Sequence, residues 1–266
     1  MKIFNNNLLY LDVKFYGLIQ AIQNLGLLQT IHFLFQRFII GRFYPGVLKS
    51  KFSRYPLYYR WNNCDLHVFR QIFINREYSP LDKLTNVGLV IDCGANIGYS
   101  SAYFLTIFPQ CEVIAVEPDK ENFALMQKNL AFYGNRVRML NSGVWSHCTD
   151  LIISDTEYRG GLPWSRQVKE VKDKEGSIQG IDISSLLNQS GFDRISVLKI
   201  DIEGAEGVIF SDNYEQWLDK VDVIAIEIHD DSIFGNCTQI VHTAISNSGI
   251  GFSKINSGEL LICIKK

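Results

Sequence analysis

VIDCGANIGYS, residues 90–100, decides how the rest of the chain is read. An apolar run ends in Asp92, Gly94 and Gly98 bracket Asn96, and a helix-forming stretch follows. Buried strand, glycine turn and helix N-terminus in that order make a βα unit. In open α/β sheets, ligands bind outside the carboxyl ends of such strands. Glycine at 94 and 98 leaves bare backbone that a ligand can approach closely. The G-x-x-x-G spacing is not the G-x-G-x-x-G that seats a pyrophosphate on a helix N-terminus. Asp92 at the strand end repels phosphate and welcomes a cation. The plain alternative is a tight turn with no ligand.

Working outward, EVIAVE (112–117) reads as the neighbouring strand and ends in Glu117. A carboxylate at that tip can accept both hydroxyls of a ribose. A nucleoside with a cationic tail is therefore favoured, and S-adenosylmethionine, with its ammonium and sulfonium and no phosphate, meets the description. Asp119 then reads as an N-cap, with Phe123, Met126, Leu130 and Tyr133 as one apolar stripe before Gly134. RVRML (136–140), ISVLKID (195–201) and VDVIAIEIH (221–229) are further strands. A helix near 238–247 leads to GFSKI and ELLICIK, close enough to pair as an antiparallel hairpin. Strand–helix alternation with near-continuous apolar strands predicts an α/β fold, with a mostly parallel sheet covered on both faces. Residues 154–180 are polar and rich in Gly, Lys and Glu, and read as an inserted loop or hairpin. Residues 1–80 lack the alternation and are expected to form a separate, helical N-terminal cap on the substrate side, with the main domain spanning 81–266.

The composition agrees. A chain of 266 residues with 47% hydrophobic and 20% charged residues has enough apolar material for a large core. A net charge of −2 makes no electrostatic case for nucleic acid as the main partner. The six cysteines form no C-x-x-C pair and no zinc spacing, and are expected as reduced thiols of a cytoplasmic protein. IHFLFQRFII (31–40) is interrupted by His32, Gln36 and Arg37 and is too short to span a bilayer. A helix packed on the domain is the favoured reading, with peripheral membrane contact through this segment the second.

VIDCGANIGYSS, VIAVEPD and above all LKIDIEGAE (198–206) resemble the FkbM family of S-adenosylmethionine-dependent methyltransferases, as do YYRWNNCDLHVFRQIFINREYSPL (58–81) and IAIEIHD (224–230). The resemblance implies a class I, Rossmann-like sheet of seven strands with the last pair reversed. It also implies O-methylation of hydroxyls on sugars or other secondary metabolites. Asp92, Gly94, Asn96 and Gly98 would line the amino acid end of the cofactor, Glu117 would take the ribose, and Val144 would sit near the adenine.

Methyl transfer to a hydroxyl is an in-line displacement in which positioning does much of the work and a base removes the proton. The candidates are Asp201, Glu203, Glu227, His229 and Asp230. Asp201 is placed closest to the reacting groups, and His229 and Glu203 are carried as further catalytic candidates. Glu206 is read as an anion at a helix start. Asp201, Glu227, His229 and Asp230 also offer oxygen and nitrogen ligands to Mg²⁺, but nothing in their spacing demands it and no metal is expected. The acceptor is expected to be a glycan, a glycolipid or another small molecule, with Tyr158 and Trp164 of the insert available to stack on a sugar ring. The rival readings are an NAD(P)-dependent oxidoreductase, disfavoured by the glycine spacing and Asp92, and a catalytically silent S-adenosylmethionine-binding module.

Overall fold

The computed structural model describes residues 17–40, 46–61, 63–154, 167–172 and 175–266. Helix α1 (Gly17–Leu25) meets α2 (Leu27–Phe35) at a 120° bend, where Gly26 takes φ 84°. A π-turn over Gln36–Ile40 extends α2. Among the described residues, no single helix is long and apolar enough to cross a membrane. Strands β1 (Gly46–Ser50) and β2 (Ser53–Tyr59) pair as an antiparallel hairpin. Helix α3 (Asp65–Phe69) runs on as a π-turn over Arg70–Asn75.

The main sheet starts with β3 (Leu89–Cys93), whose five residues are all buried. It alternates with helices through α4 (Tyr99–Ile107), β4 (Glu112–Val116), α5 (Lys120–Leu130) and β5 (Val137–Leu140). Asp119 caps α5, its side chain accepting from the amides of Glu121 and Asn122. Four strands then form a smaller sheet: β6 (Gly143–Val144), β7 (Thr149–Ile153), β8 (Val168–Val171) and β9 (Ile178–Ile181), in the order β6-β9-β7-β8. The expected insert thus contributes two strands to a sheet of its own, while Tyr158 and Trp164 lie outside the described residues. Helix α6 (Ile183–Asn188) returns the chain to β10 (Val197–Ile200), α7 (Glu206–Ser211), β11 (Val223–Glu227) and α8 (Cys237–Asn247). The hairpin of β12 (Phe252–Ser257) and β13 (Leu260–Lys265) closes the fold.

The seven strands lie in the order β12-β13-β11-β10-β3-β4-β5. β13 pairs antiparallel with both of its neighbours, while the other pairings are parallel. The closing hairpin therefore puts one reversed strand, β13, into an otherwise parallel sheet, as expected. The N-terminal part does not stand apart. Phe33, Leu48, Leu57 and Phe69 share one core with Tyr103, Val90 and Ala115 of the sheet domain. The cap is also not purely helical. Its hairpin is tied down by Asn129, whose side-chain oxygen accepts from the Tyr58 amide at 2.7 Å and whose NH₂ donates to the carbonyls of Tyr58 and Ile97. A second core fills the other face of the sheet, with Ile91, Leu198 and Ile224 against Leu186, Phe210 and Val241.

Candidate active site

The carboxyl ends of β3, β4, β10 and β11 open into a cavity of about 440 Å³, with Val144 of the small sheet on one wall. The size suits a small-molecule ligand. Gly94, Asn96, Glu117, Val144, Asp201 and Glu203 all line it. So do Glu227 and Lys199, together with Glu77 from the N-terminal part and Glu259 from the last hairpin.

At the β4 tip, the two Glu117 oxygens accept from the amides of Asn96 at 2.8 Å and Asp119 at 3.0 Å, and from the Asn122 NH₂ at 3.2 Å. Burial nonetheless raises its pKa to about 7, against the lowering effect of those hydrogen bonds. Asn96 holds φ at 50°. Its Oδ1 is buried on the cavity wall with no hydrogen-bond partner. A buried acceptor left in this way awaits a donor.

Asp92 and Gly98 do not line the cavity. Asp92 is fully buried and accepts from the hydroxyls of Ser100 and Ser101, both at 2.6 Å. It also pairs with the Lys199 ammonium at 3.2 Å. Its charge holds the α4 start and Lys199 in place. The glycines are also needed for the packing of the fold itself. A Cβ on Gly94, at φ +76°, would lie 1.8 Å from the Asp201 carbonyl oxygen, and one on Gly98 would crowd Leu130 and Met126 at 3.0 Å. Gly94 lets β3 and the exit of β10 approach each other, and Gly98 seats α4 against α5.

Lys199 is the residue that sequence reasoning missed. Its ammonium donates to the Gly94 carbonyl at 2.6 Å and lies 3.6 Å from Asp201. Burial would lower its pKa, but Asp92 and then Asp201 hold it well above the ordinary lysine value. The one available signal was a lysine inside an otherwise apolar strand, directly before Ile200 and Asp201.

His229 is 1% exposed and lies behind the wall. Its Nδ1 is 3.0 Å from Glu206 Oε1, the same oxygen that accepts the Ile202 amide at 2.9 Å. Nε2 lies 3.4 Å from Glu227, 3.7 Å from Glu203 and 3.9 Å from Asp201. Burial opposes the charge, but the Glu206 bond and the neighbouring carboxylates push the pKa up to about 11. The neutral base expected of His229 is thus corrected to an imidazolium at neutral pH. Glu206 is buried as its partner and is more than an anion at a helix start. Glu227, by contrast, is pushed up by burial and then by Asp201. Asp230 turns away from this group, accepting from the Thr238 amide.

Strand order, a glycine loop after the first strand and a carboxylate at the tip of the second define a class I methyltransferase architecture. The chain belongs to the FkbM methyltransferases: the family described as Methyltransferase FkbM domain matches residues 92–244. Methyltransferase 1 of Beauveria bassiana is 22% identical over 61% of this chain and 73% of its own length. Methyltransferase sdnD of Sordaria araneosa is 25% identical over 60% of this chain and 73% of its own. Among solved structures, a precorrin-6y C5,15-methyltransferase from Geobacter metallireducens aligns over 73% of this chain and 86% of its own, with a TM-score of 0.41 and 11% identity. Fibrillarin of Aeropyrum pernix with natively bound S-adenosyl-L-methionine aligns over 68% of this chain and 66% of its own, with a TM-score of 0.38 and 8% identity. Both scores are too low to support an argument about the site. The protein is a methyltransferase enzyme.

Proposed function

We propose that the chain transfers the methyl group of S-adenosylmethionine to a hydroxyl of a glycan, glycolipid or other small-molecule acceptor. The observation that carries this reading is a single cavity with two unlike ends. One end offers Glu117 and the unpartnered Asn96 Oδ1. The other gathers Asp201, Glu203 and Glu227. The first end suits a ribose and an ammonium, with the sulfonium that joins them directing its methyl group towards the second, which suits an acceptor that must lose a proton.

Bound there, S-adenosylmethionine supplies an electrophilic methyl carbon. The chain's own part is to hold the ribose on Glu117, to offer Asn96 Oδ1 to the ammonium and to keep Lys199 folded onto the loop. A pyrophosphate would meet several carboxylates in this cavity, which disfavours the nicotinamide reading. With His229 protonated, the proton acceptors at this end of the cavity are Asp201, Glu203 and Glu227. Calorimetry with S-adenosylmethionine and with NADH tests the reading. Binding of the first alone supports it. Binding of NADH alone, or of neither, overturns it.

A lipid-linked acceptor is the version that the N-terminal part supports. Leu28 is 78% exposed and Phe38 is 67% exposed, with Leu27 and Ile31 beside them on the bent helix pair. Residues 1–60 hold eight Lys or Arg against one Asp, a net +7, while residues 61–266 hold 18 against 27 acidic residues, a net −9. Apolar side chains on a strongly basic segment suit an anionic membrane surface.

A further inference from the structure

The spacing of Asp201, Glu227 and His229 did not demand a metal, but the folded arrangement points to one. One ligand atom from each lies within 4.8 Å of the others. Carboxylates alone would mean little. The second observation is His229 Nε2, which is buried and carries no hydrogen bond. The Nδ1 side of the ring is fixed by Glu206, itself fully buried and held by the Ile202 amide. A histidine that donates one ring N–H to a buried carboxylate aims its other nitrogen in a set direction, and an ion bound there displaces the proton that the surrounding carboxylates otherwise keep on it. Ligating histidines are oriented in this way by carboxylates on the far side of the ring. Here that direction leads to the Glu227 and Asp201 carboxylates, which face the cavity.

We propose that His229 Nε2, Asp201 and Glu227 form a binding site for one divalent cation on the acceptor side of the cavity. Two carboxylates and an imidazole suit a first-row ion such as Mn²⁺, which accepts mixed nitrogen and oxygen ligands. Three protein ligands leave coordination positions open towards the cavity. The local charge agrees: Asp201, Glu203, Glu206 and Glu227 surround His229, and the other cation nearby among the described residues, Lys199, already pairs with Asp92. The catalytic consequence rests on the O-methylation reading: a cation here lowers the pKa of an acceptor hydroxyl that binds it. Ion binding itself does not depend on that reading.

The test is titration of the full-length, chelator-treated protein with Mn²⁺ alone, followed by loss of the free-ion paramagnetic resonance signal. One ion per chain is expected, with selective broadening of the His229 ring resonances. Glu227→Gln and Asp201→Asn should each weaken binding at least about tenfold. Both side chains are partly exposed, and an unchanged circular dichroism spectrum will show that the variants fold. No stoichiometric binding, or binding that both variants leave intact, overturns the site. Calorimetry with S-adenosylmethionine is read separately. Cofactor binding without Mn²⁺ binding defeats this proposal alone, whereas Mn²⁺ binding without cofactor binding defeats the methyl-transfer reading and leaves the metal site standing.

Discussion

Glu117 shows how a single residue joins structure to function. In the free protein, burial has raised its pKa to about 7. Ribose hydroxyls donate best to the ionised carboxylate, so cofactor affinity should rise between about pH 6 and pH 8 and level off above. Glu117→Gln should remove that pH dependence and weaken binding by about ten- to a hundredfold, the worth of one or two charge-assisted hydrogen bonds. A pH series of calorimetric titrations on both proteins checks this. A flat wild-type profile would remove the ribose role. At Gly94 the expectation concerns folding instead. Gly94→Ala places a methyl group against the Asp201 carbonyl in a left-handed backbone, and overpacking of this kind costs about 1–3 kcal/mol or more. A thermal melt should show a loss of about 2–4 °C per kcal/mol for a domain of this size. A normal melting temperature would mean that the β10 exit can move aside. Residue identities also mark where sequence reading stopped. Asp92 looked like a ligand-facing acid because its partner Lys199 lies far along the chain. His229 looked like a neutral base because most of the carboxylates around it come from residues 201–206, more than twenty positions earlier in the chain.

At the scale of elements, the βα units were legible because their strands are buried on both faces and so read as unbroken apolar runs. VIDC and VIAV need no partner information to be recognised. The α5 N-cap was equally local: Asp119 accepts from two amides within its own first turn. Asp119→Ala should therefore cost about 1 kcal/mol, seen as a shift in the denaturation midpoint without a change in slope. A cost near zero would mean that Pro118 and the packing of α5 already fix that helix start. The β1–β2 hairpin was not legible. SRYPLYY carries Pro56 and lacks a clean alternation, and the bonds that pin it come from Asn129. Long-range hydrogen bonds of this kind leave no periodic trace in the sequence.

For the whole molecule, the charge is divided by position, and that division predicts behaviour at lipid surfaces. The full chain should bind vesicles containing anionic lipid more tightly than neutral ones, and binding should weaken as salt screens the basic segment. Leu28→Glu with Phe38→Glu should lower partitioning at least about tenfold while leaving cofactor affinity unchanged, because neither side chain lines the cavity. Equal binding to neutral vesicles, no effect of the double variant, or self-association seen by sedimentation would each speak against a membrane partner. The segment around Gln71 and Glu77 also meets the β12–β13 turn beside the cavity. The Ser257 hydroxyl donates to the Glu77 carbonyl, and Gln71 donates to Glu259 at 3.1 Å. A Cβ on Gly258 would stand 2.6 Å from the Glu77 carboxyl carbon. Position 77 and the β12–β13 turn are thus two halves of one doorway, in contact across it. Among relatives that select different acceptors, substitutions at 77 should be matched by compensating changes at 257–259, and grafting one half without the other should abolish selectivity instead of transferring it.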